Sequence, residues 1–195
     1  MQGFMEDGDV IERVLSHVRE GTTDQGDETW REPVENYRSE ARLRLEIEAL
    51  RRLPVPFCPS AALPNPGDYV ARPAAGVPIL AVRGKDGRVR AFRNACRHRG
   101  AEVASGSGCA QTFVCPYHGW TYDLEGRLAR LQHERGFPDV DKDDHGLVPV
   151  LAQERAGIVF ITQIEDERLG AVDPGEGLGD LLSGDLEVIE TNDDL

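Results

Sequence analysis

Hydrophobic side chains recur at helical spacing in two stretches near the amino end of the chain. In residues 9–20 they follow Asp7 and Asp9 and stop at Gly21, which predicts an amphipathic helix. A second helix is predicted in SEARLRLEIEALRRL and must end near Pro54, because proline cannot continue the hydrogen bonds of a helix. We expect both helices to pack on a neighbouring domain or subunit. Their apolar positions are Val10, Ile11, Val14, Leu15 and Val18 in the first and Leu43, Ile47 and Leu50 in the second.

The middle of the chain favours short strands. DYVAR, VPILAVR and RVRAFRN are rich in valine, isoleucine and aromatic residues, and GKDG between the second and the third is a hairpin turn. Further along, FVCPYHGWTYD is followed by the turn LEGR, and GLVPVLAQERAGIVFIT predicts two strands joined near Ala156 and Gly157. Turn signals so close together predict a mainly β fold, a small antiparallel domain of about seven to nine strands.

Charged residues divide the chain into three parts. Of the 195 residues, which carry a net charge of −13, residues 163–195 contain eleven acids and one base, whereas the middle is nearly neutral. We predict an N-terminal helical leader at residues 1–54 and a β-domain at residues 55–164. Residues 165–195 are predicted to be an acidic linker, in which LEVIE could form one more strand.

Composition and charge exclude several classes of function. An acidic chain is not expected to be a general nucleic-acid binder. The apolar runs are as short as strands, and MQGFMEDGDV lacks the basic and apolar regions of a signal peptide, so we expect a cytoplasmic protein without a membrane partner. In that reducing compartment, the four cysteines are better explained as metal ligands or free thiols than as disulfides.

Two closely spaced pairs of soft ligands lie in the middle part, Cys96 with His98 and Cys115 with His118. The spacing is C-x-H, then sixteen residues, then C-x-x-H. Two such pairs on separate loops can converge on one metal centre. Two cysteines with two histidines are a common structural zinc set, but zinc sites more often join cysteine to cysteine through a two-residue spacer. The mixed pairs therefore favour another centre, and zinc is the alternative.

The segments CRHRG and CPYHGWTYD resemble the cluster-binding motif of Rieske iron–sulfur proteins, in particular of the large subunits of aromatic-ring-hydroxylating oxygenases. The similarity also covers LPNPGDYV, GVPILAVRGKDGRVRAFRNACRHRG, GFPDVDKDDHGL and GIVFI. It implies a Rieske-type domain whose [2Fe-2S] cluster is held by loops on a β-sandwich. By the same resemblance, Cys96 and Cys115 bind one iron, and His98 and His118 bind the other.

Residues beside the ligands are expected to tune the cluster. A glycine follows each ligand pair, where the loops must turn tightly and present N–H groups to sulfur. Tyr122 matches a tyrosine that donates a hydrogen bond to a ligand sulfur in the family. The expected neighbours of the cluster are Arg97, Gly100, Tyr117, Gly119, Trp120 and Tyr122.

The resemblance also bears on the reduction potential. High-potential respiratory Rieske proteins add one cysteine to each loop, which together form a disulfide, and place a serine after the His-Gly of the second loop. Ala101, Tyr117 and Trp120 occupy the corresponding positions here, so neither the bridge nor the hydroxyl can form. We therefore predict a potential near the low end of the range of roughly −150 to +300 mV for Rieske centres.

Residues 83–99 contain six arginines and one lysine but a single acid. The simpler interpretation is strand faces in water and ion pairs with the acidic flanks. The sharper hypothesis is that Arg97 and Arg99, beside the expected histidine ligands, help to dock an acidic electron donor or a carboxylate of a neighbouring catalytic domain.

The remaining histidines and cysteines do not suggest a second metal site. In the family, the Rieske domain takes electrons from a ferredoxin or reductase and passes them to a mononuclear Fe(II), held by two histidines and a carboxylate in a catalytic domain. The other histidines are far apart in the sequence, and the other cysteines are interpreted as a free thiol and a small buried apolar residue. These residues are His17, His133, His145, Cys109 and Cys58.

We therefore expect the chain to be the Rieske part of an oxygenase large subunit. It would be an oxidoreductase component that transfers electrons and has no catalytic residues of its own. The resemblance implies that residues 165–195 are the start of a catalytic domain that is otherwise missing from the chain and would hold the Fe(II). A full-length subunit would form a homotrimer in which the cluster of one subunit serves the iron of the next. A free-standing Rieske ferredoxin and a zinc-binding module are the alternatives.

Overall fold

Both helices predicted from the hydrophobic pattern are present. The computed structural model describes residue 5, residues 7–26 and residues 29–164. The helices are α1 (Asp7–Glu20), the one-turn α2 (Glu35–Arg38) and α3 (Glu40–Arg52). The apolar side chains of α1 are exposed, and our expectation that they pack on a neighbour stays a prediction.

The chain divides into two compact units, of which the first ends at Ser39 and the second begins at Glu40. The third helix thus belongs to the same unit as the strands. The backbone N–H of Gln163 donates to the carbonyl of Arg51 at 3.0 Å, and the Arg51 guanidinium donates to the carbonyl of Ala75 at 2.9 Å. Our predicted leader, residues 1–54, differs from this division by that one helix.

Among the described residues, ten strands form two antiparallel sheets, which confirms the mainly β fold but exceeds the seven to nine strands predicted. Three short strands lack a clear signal: β1 contains two prolines, β5 is GSGC, and β8 has three residues. The strands are β1 (Val55–Pro59), β2 (Asp68–Ala74), β3 (Val77–Arg83), β4 (Val89–Arg93), β5 (Gly106–Cys109), β6 (Phe113–Val114), β7 (Thr121–Tyr122), β8 (Leu128–Arg130), β9 (Pro149–Arg155) and β10 (Ile158–Thr162).

The larger sheet has the order β1-β10-β9-β4-β3-β2-β5, and the smaller one has the order β6-β7-β8. Strand β3 is buried on both faces, because successive side chains of a strand point to opposite sides. Leu80 and Val82 pack with the small sheet in one core, whereas Ile79 and Ala81 belong to a second core with β1 and β10. The small sheet therefore covers one face of the large sheet, and the cysteines of the two predicted ligand loops, Cys96 and Cys115, belong to the core between them.

The turn between β9 and β10 forms at the predicted position. Ala156 and Gly157 both have positive φ values, 47° and 74°, and Arg155 pairs with Ile158 across them. This is the backbone that a two-residue hairpin needs to match the twist of its strands.

Two predictions concern segments outside the sheets. The acidic linker and its LEVIE strand lie outside the described residues. Within the described ranges, no helix has the length and apolar content needed to cross a membrane.

Candidate functional site

The two predicted ligand pairs lie on loops with the same backbone hydrogen bonding. The first loop follows β4, and the second joins β6 to β7. In each, the N–H of the cysteine donates to the carbonyl five residues later: Cys96 to Ala101 at 2.7 Å, and Cys115 to Trp120 at 2.8 Å. The chain thus uses one loop conformation twice, although the histidine comes two residues after the first cysteine and three residues after the second.

A glycine closes each of these loops. The N–H groups of Gly100 and Gly119 donate to the carbonyls of Cys96 and Cys115 at 2.8 and 3.0 Å. Their φ values are 76° and 69°, in the left-handed region that favours glycine. At Gly119 a Cβ atom would also overlap the side-chain carbonyl of Gln132, whereas the space beside Gly100 is open.

The four candidate ligands form a pair of buried thiols and a pair of adjacent imidazoles. Cys96 and Cys115 are each 3% exposed and are free thiols. The imidazole centroids of His98 and His118 are 4.6 Å apart. Nδ1 of each histidine is buried and finds no hydrogen-bond partner in the described part of the chain. Buried polar atoms normally have a partner, so these residues fit a metal centre that binds both nitrogens and both sulfurs.

No three His, Cys, Asp or Glu side chains among the described residues form a group that could hold a single metal ion. A [2Fe-2S] cluster of the Rieske type takes two protein ligands on each iron. The arrangement of two thiols and two imidazoles as separate pairs is compatible with such a cluster.

The electrostatic surroundings favour uncharged side chains before a metal binds. Burial raises the pKa of the Cys96 thiol. Burial, together with His118 and Arg99, lowers the pKa of His98, which keeps the imidazole in the neutral form that binds metals. A bound cation reverses the balance at the sulfur, because metal ions deprotonate coordinating thiols.

Tyr122 lies against the first ligand loop, as the sequence predicts for a donor to sulfur. It is fully buried on β7, with its hydroxyl oxygen 3.3 Å from Sγ of Cys96. The same oxygen accepts the backbone N–H of Arg97 at 2.9 Å. Burial and the neighbouring Cys96 raise the pKa of Tyr122, so the hydroxyl keeps the proton that it can donate.

Asn94 supports the first loop, although no sequence pattern predicts this role. It is 2% exposed and lies directly after β4. Its Oδ1 accepts the N–H groups of Val103 and Ala104 at 2.9 and 3.3 Å, and its Nδ2 donates to the carbonyl of Ala104 at 2.8 Å. An asparagine two residues before the first candidate ligand is the only signal in the sequence, and the residues that it binds cannot be read from local sequence.

Aromatic side chains surround His98. The indole of Trp120 stacks on its imidazole with centroids 5.0 Å apart and an interplanar angle of 8°. Phe137 meets the same imidazole edge-on at 5.5 Å, and His145 meets Trp120 at 6.0 Å. Trp120 is predicted as a neighbour, whereas Phe137 and His145 are not. Both belong to the segment GFPDVDKDDHGL, whose similarity to the family was the one signal that could have identified them.

Tyr117 covers the other histidine from the solvent side. Its ring centroid is 3.8 Å from that of His118, and the guanidinium of Arg99 lies 5.9 Å above its ring. Tyr117 is 59% exposed, whereas Trp120 is 2% exposed. The two imidazoles therefore have different surroundings.

The structure separates the arginines of residues 83–99 into two groups. Arg83 forms a two-pronged ion pair with Glu154 at 2.8 and 2.9 Å, and Arg90 pairs with Asp86 at 2.8 Å. Arg97 and Arg99 lie instead on the first ligand loop, and both are exposed. The paired arginines use acids of the β-domain and not, as the simpler interpretation expected, acids of the flanks.

Comparisons with known proteins agree with this geometry. A family model described as the Rieske [2Fe-2S] domain matches residues 54–142, which include all four candidate ligands. This part of the chain matches the Rieske domain, and the similar proteins are oxygenase subunits. The Rieske domain is 43% identical over 108 residues to the carnitine monooxygenase oxygenase subunit of Acinetobacter baumannii. It is 36% identical over 100 residues to the biphenyl 2,3-dioxygenase subunit alpha of Rhodococcus jostii.

Solved structures of Rieske oxygenases confirm the Rieske fold. A quaternary ammonium Rieske monooxygenase in complex with L-carnitine superposes with a TM-score of 0.70 at 35% identity, covering 80% of this chain and 44% of that one. A naphthalene 1,2-dioxygenase variant bound to phenanthrene gives a TM-score of 0.65 at 29% identity, covering 73% of this chain and 32% of that one.

The chain matches part of each relative. The alignment with the carnitine monooxygenase subunit covers 55% of this chain and 29% of the relative, and that with the biphenyl dioxygenase subunit covers 50% and 22%. The chain thus spans less than a third of the length of each of these two relatives.

Proposed function

We propose that the β-domain holds a [2Fe-2S] cluster and transfers single electrons through it. In this proposal Cys96 and Cys115 bind one iron through Sγ, and His98 and His118 bind the other through Nδ1. The main support is the pair of buried Nδ1 atoms without hydrogen-bond partners among the described residues, on the same two loops as two buried thiols. A zinc site would leave no reason for the match to a Rieske domain.

The chain's own groups suit a one-electron carrier. When bound, the cluster supplies one-electron chemistry at the histidine-bound iron, because neutral imidazoles raise its potential relative to thiolates. Tyr122 holds a proton toward Sγ of Cys96, and the two glycine-closed loops keep both cysteines away from water. These features favour a bound cluster that gains and loses one electron while keeping the same four protein ligands.

We infer the partners from the relatives. These are oxygenase subunits, so the electrons would come from a ferredoxin or reductase and go to a mononuclear Fe(II) in an oxygenase catalytic domain. One solved quaternary ammonium Rieske monooxygenase is described as giving insight into inter-subunit electron transfer. By analogy, the full-length subunit would form a homotrimer in the cytoplasm that passes electrons between neighbours.

The substrate class follows from the same relatives. Carnitine, glycine betaine and biphenyl appear in their names. Quaternary ammonium compounds therefore join the aromatic substrates that the sequence resemblance implies. We propose an oxygenase that acts on one of these two classes.

The exposed arginines of the first ligand loop suit an acidic partner. Arg97 and Arg99 flank His98 in sequence, and Arg99 lies over Tyr117. Positive charge at the edge of a redox site attracts a negatively charged donor and orients it before contact. We propose that these two arginines dock the electron donor or a carboxylate of the neighbouring catalytic domain.

Reconstitution tests the proposed cluster. The purified chain would be treated with iron and sulfide under argon, then examined by visible absorption and, after reduction, by EPR. We expect about two irons and two sulfides per chain and the spectrum of a Rieske centre. Replacing any ligand, as in Cys96→Ser, Cys115→Ser, His98→Ala or His118→Ala, should abolish that spectrum.

Two matched variants serve as controls. Cys109→Ser removes an exposed thiol on β5, and His133→Ala removes an exposed imidazole; both should keep the full spectrum. The proposal is wrong if the controls lose the spectrum as completely as the ligand variants do. It is also wrong if the chain binds zinc and stays colourless after reconstitution.

A further inference from the structure

The two histidines of the Rieske domain lie in unlike surroundings. The His98 imidazole has a parallel ring on one side, Trp120, and a perpendicular ring at its edge, Phe137. The ring nearest to His118 from outside the histidine pair is Tyr117, which is largely exposed. Both imidazoles are partly exposed, but His98 has aromatic rings on one face and at its edge, whereas His118 is covered by a side chain in contact with water.

Two separate parts of the chain form the enclosure around His98. Trp120 belongs to the second ligand loop, is 2% exposed, and is held by the hydrogen bond from Cys115 to its carbonyl. Phe137 comes from a short 3-10 turn further along the chain, where its N–H donates to the carbonyl of Glu134 at 2.9 Å. The two rings meet each other at 5.8 Å and 85°. Together they form a corner around the His98 ring, with the indole against one face of the imidazole and the phenyl ring at its edge.

We propose that Trp120 and Phe137 are positioning residues for His98, which fix the plane of its imidazole and shield part of it from water, and thereby set the reduction potential of the site. This inference rests on the proposed cluster. A ring stacked on one face and held at its edge cannot rotate about its Cβ–Cγ bond without losing both aromatic contacts. The direction in which Nδ1 offers its lone pair is then fixed before a metal binds.

The same walls affect the charge balance of reduction. Reduction adds one negative charge to the site, and water stabilises added charge better than aromatic side chains do. Shielding part of His98 from water therefore disfavours the reduced form and lowers the potential. Opening the corner should raise the potential, an effect that loss of packing elsewhere in the same core would not produce.

Phe137 is the better residue to change, because it is half-buried and outside both ligand loops. In Phe137→Ala, we expect the ratio of reduced to oxidised protein at a fixed potential to rise about threefold to tenfold, which is about 30–60 mV for one electron. Phe137→Tyr keeps the ring and should keep the potential of the unmodified chain. Val140→Ala is the matched control, since Val140 packs on the same core from the same segment.

A second pair of variants tests the stacked wall. Trp120→Phe keeps an aromatic ring over His98, whereas Trp120→Leu does not. We expect the potential and the EPR line shape to move further in the leucine variant. If Phe137→Ala and Val140→Ala give the same potential, or if the two Trp120 variants do, the positioning role is refuted.

The apoprotein provides a readout that needs no cluster. The chain has two tryptophans, and Trp30 is 81% exposed, so in a Trp30→Phe background the fluorescence reports on Trp120. Adding Phe137→Ala should increase acrylamide quenching of Trp120, and adding Val140→Ala should leave it unchanged. Equal quenching in the Phe137→Ala and Val140→Ala variants would contradict the proposal that Phe137 shields this site. Absence of a cluster from the unmodified chain, with the quenching difference intact, would refute the proposed function and leave the enclosure of His98 standing.

Discussion

The hydroxyl oxygen of Tyr122 lies 3.3 Å from Sγ of Cys96 and 2.9 Å from the backbone nitrogen of Arg97. A backbone N–H can only donate, so it occupies a lone pair of the hydroxyl oxygen and leaves the hydroxyl hydrogen for the sulfur. A residue of the small sheet therefore donates a hydrogen bond to Cys96, a candidate ligand on the first loop.

Removing this donor should lower the reduction potential. In Tyr122→Phe the sulfur loses a hydrogen bond that strengthens when the site gains an electron. We expect the potential to fall by about 20–60 mV, equivalent to about 0.5–1.5 kcal/mol for one electron. Redox titration of the reconstituted chain measures this shift. Tyr69→Phe is the control, since Tyr69 packs edge-on against Phe113 in the same core. An unchanged potential in Tyr122→Phe would show that the hydroxyl does not act on the sulfur.

Asn94 should be essential for the stability of the first ligand loop. Asn94→Ala leaves the buried N–H of Val103 and the carbonyl of Ala104 without their side-chain partner. We expect a loss of about 2–4 kcal/mol in the free energy of unfolding, measured by chemical denaturation, and faster release of iron. The exposed Asn65 provides the control Asn65→Ala. If both variants unfold at the same denaturant concentration, Asn94 does not support the loop.

Local pattern predicts most of this fold because most of its strands carry their own signal. The run VPILAVR in β3 and the Ala156-Gly157 turn are recognisable without their neighbours. Strands β1 and β5 are not, because prolines and glycines have low strand propensity. They become strands by pairing with β10 and β2, partners that lie far along the chain.

Ligand spacing identifies the candidate site but not the residues that support it. The pairs Cys96 with His98 and Cys115 with His118 follow a local pattern, whereas Asn94 and Phe137 act across distances that no local pattern contains. For the same reason, the sequence alone does not separate the roles of the arginines in residues 83–99. Its arginines differ in role because Glu154 lies within reach of Arg83.

The two loop glycines should differ in their tolerance of a side chain. Gly100→Ala adds only the strain of a positive φ, which we expect to cost about 1–2 kcal/mol of unfolding free energy. Gly119→Ala should cost more, because its Cβ would also displace Gln132. The double variant Gly119→Ala with Gln132→Ala should be as stable as Gly100→Ala, as judged by thermal unfolding. Equal stability of the two single variants would show that Gln132 moves away without cost.

Charge reversal on the first ligand loop should slow electron uptake. In the double variant Arg97→Glu and Arg99→Glu, we expect the second-order rate of reduction by an acidic ferredoxin to fall about tenfold or more at low salt, with a weaker dependence on ionic strength. Stopped-flow absorption measures this rate. Arg88→Glu removes an exposed arginine from the hairpin between β3 and β4 and is the control. If the rate and its salt dependence match those of the unmodified chain, the arginines do not dock the donor.

The ion pair between Arg83 and Glu154 should make the stability of the Rieske domain depend on pH. Its two bonds are 2.8 and 2.9 Å long, and its side chains are 13% and 35% exposed. Arg83 lowers the pKa of Glu154 below the ordinary value of 4.5. A carboxyl group whose pKa is lower in the folded state stabilises that state above its ordinary pKa and loses the effect as the pH falls through the folded value.

Glu154→Gln tests this dependence. At pH 7 we expect it to cost about 1 kcal/mol of unfolding free energy, a modest value because the carboxylate is partly in water. The difference from the unmodified chain should shrink as the pH falls below 4.5, where the unfolded glutamate is protonated in any case. Urea denaturation across this range measures it. Asp86→Asn, in the more exposed pair with Arg90, should change stability less. A difference between Glu154→Gln and the unmodified chain that stays constant from pH 7 to pH 3 would mean that the lost stability comes from packing and not from charge.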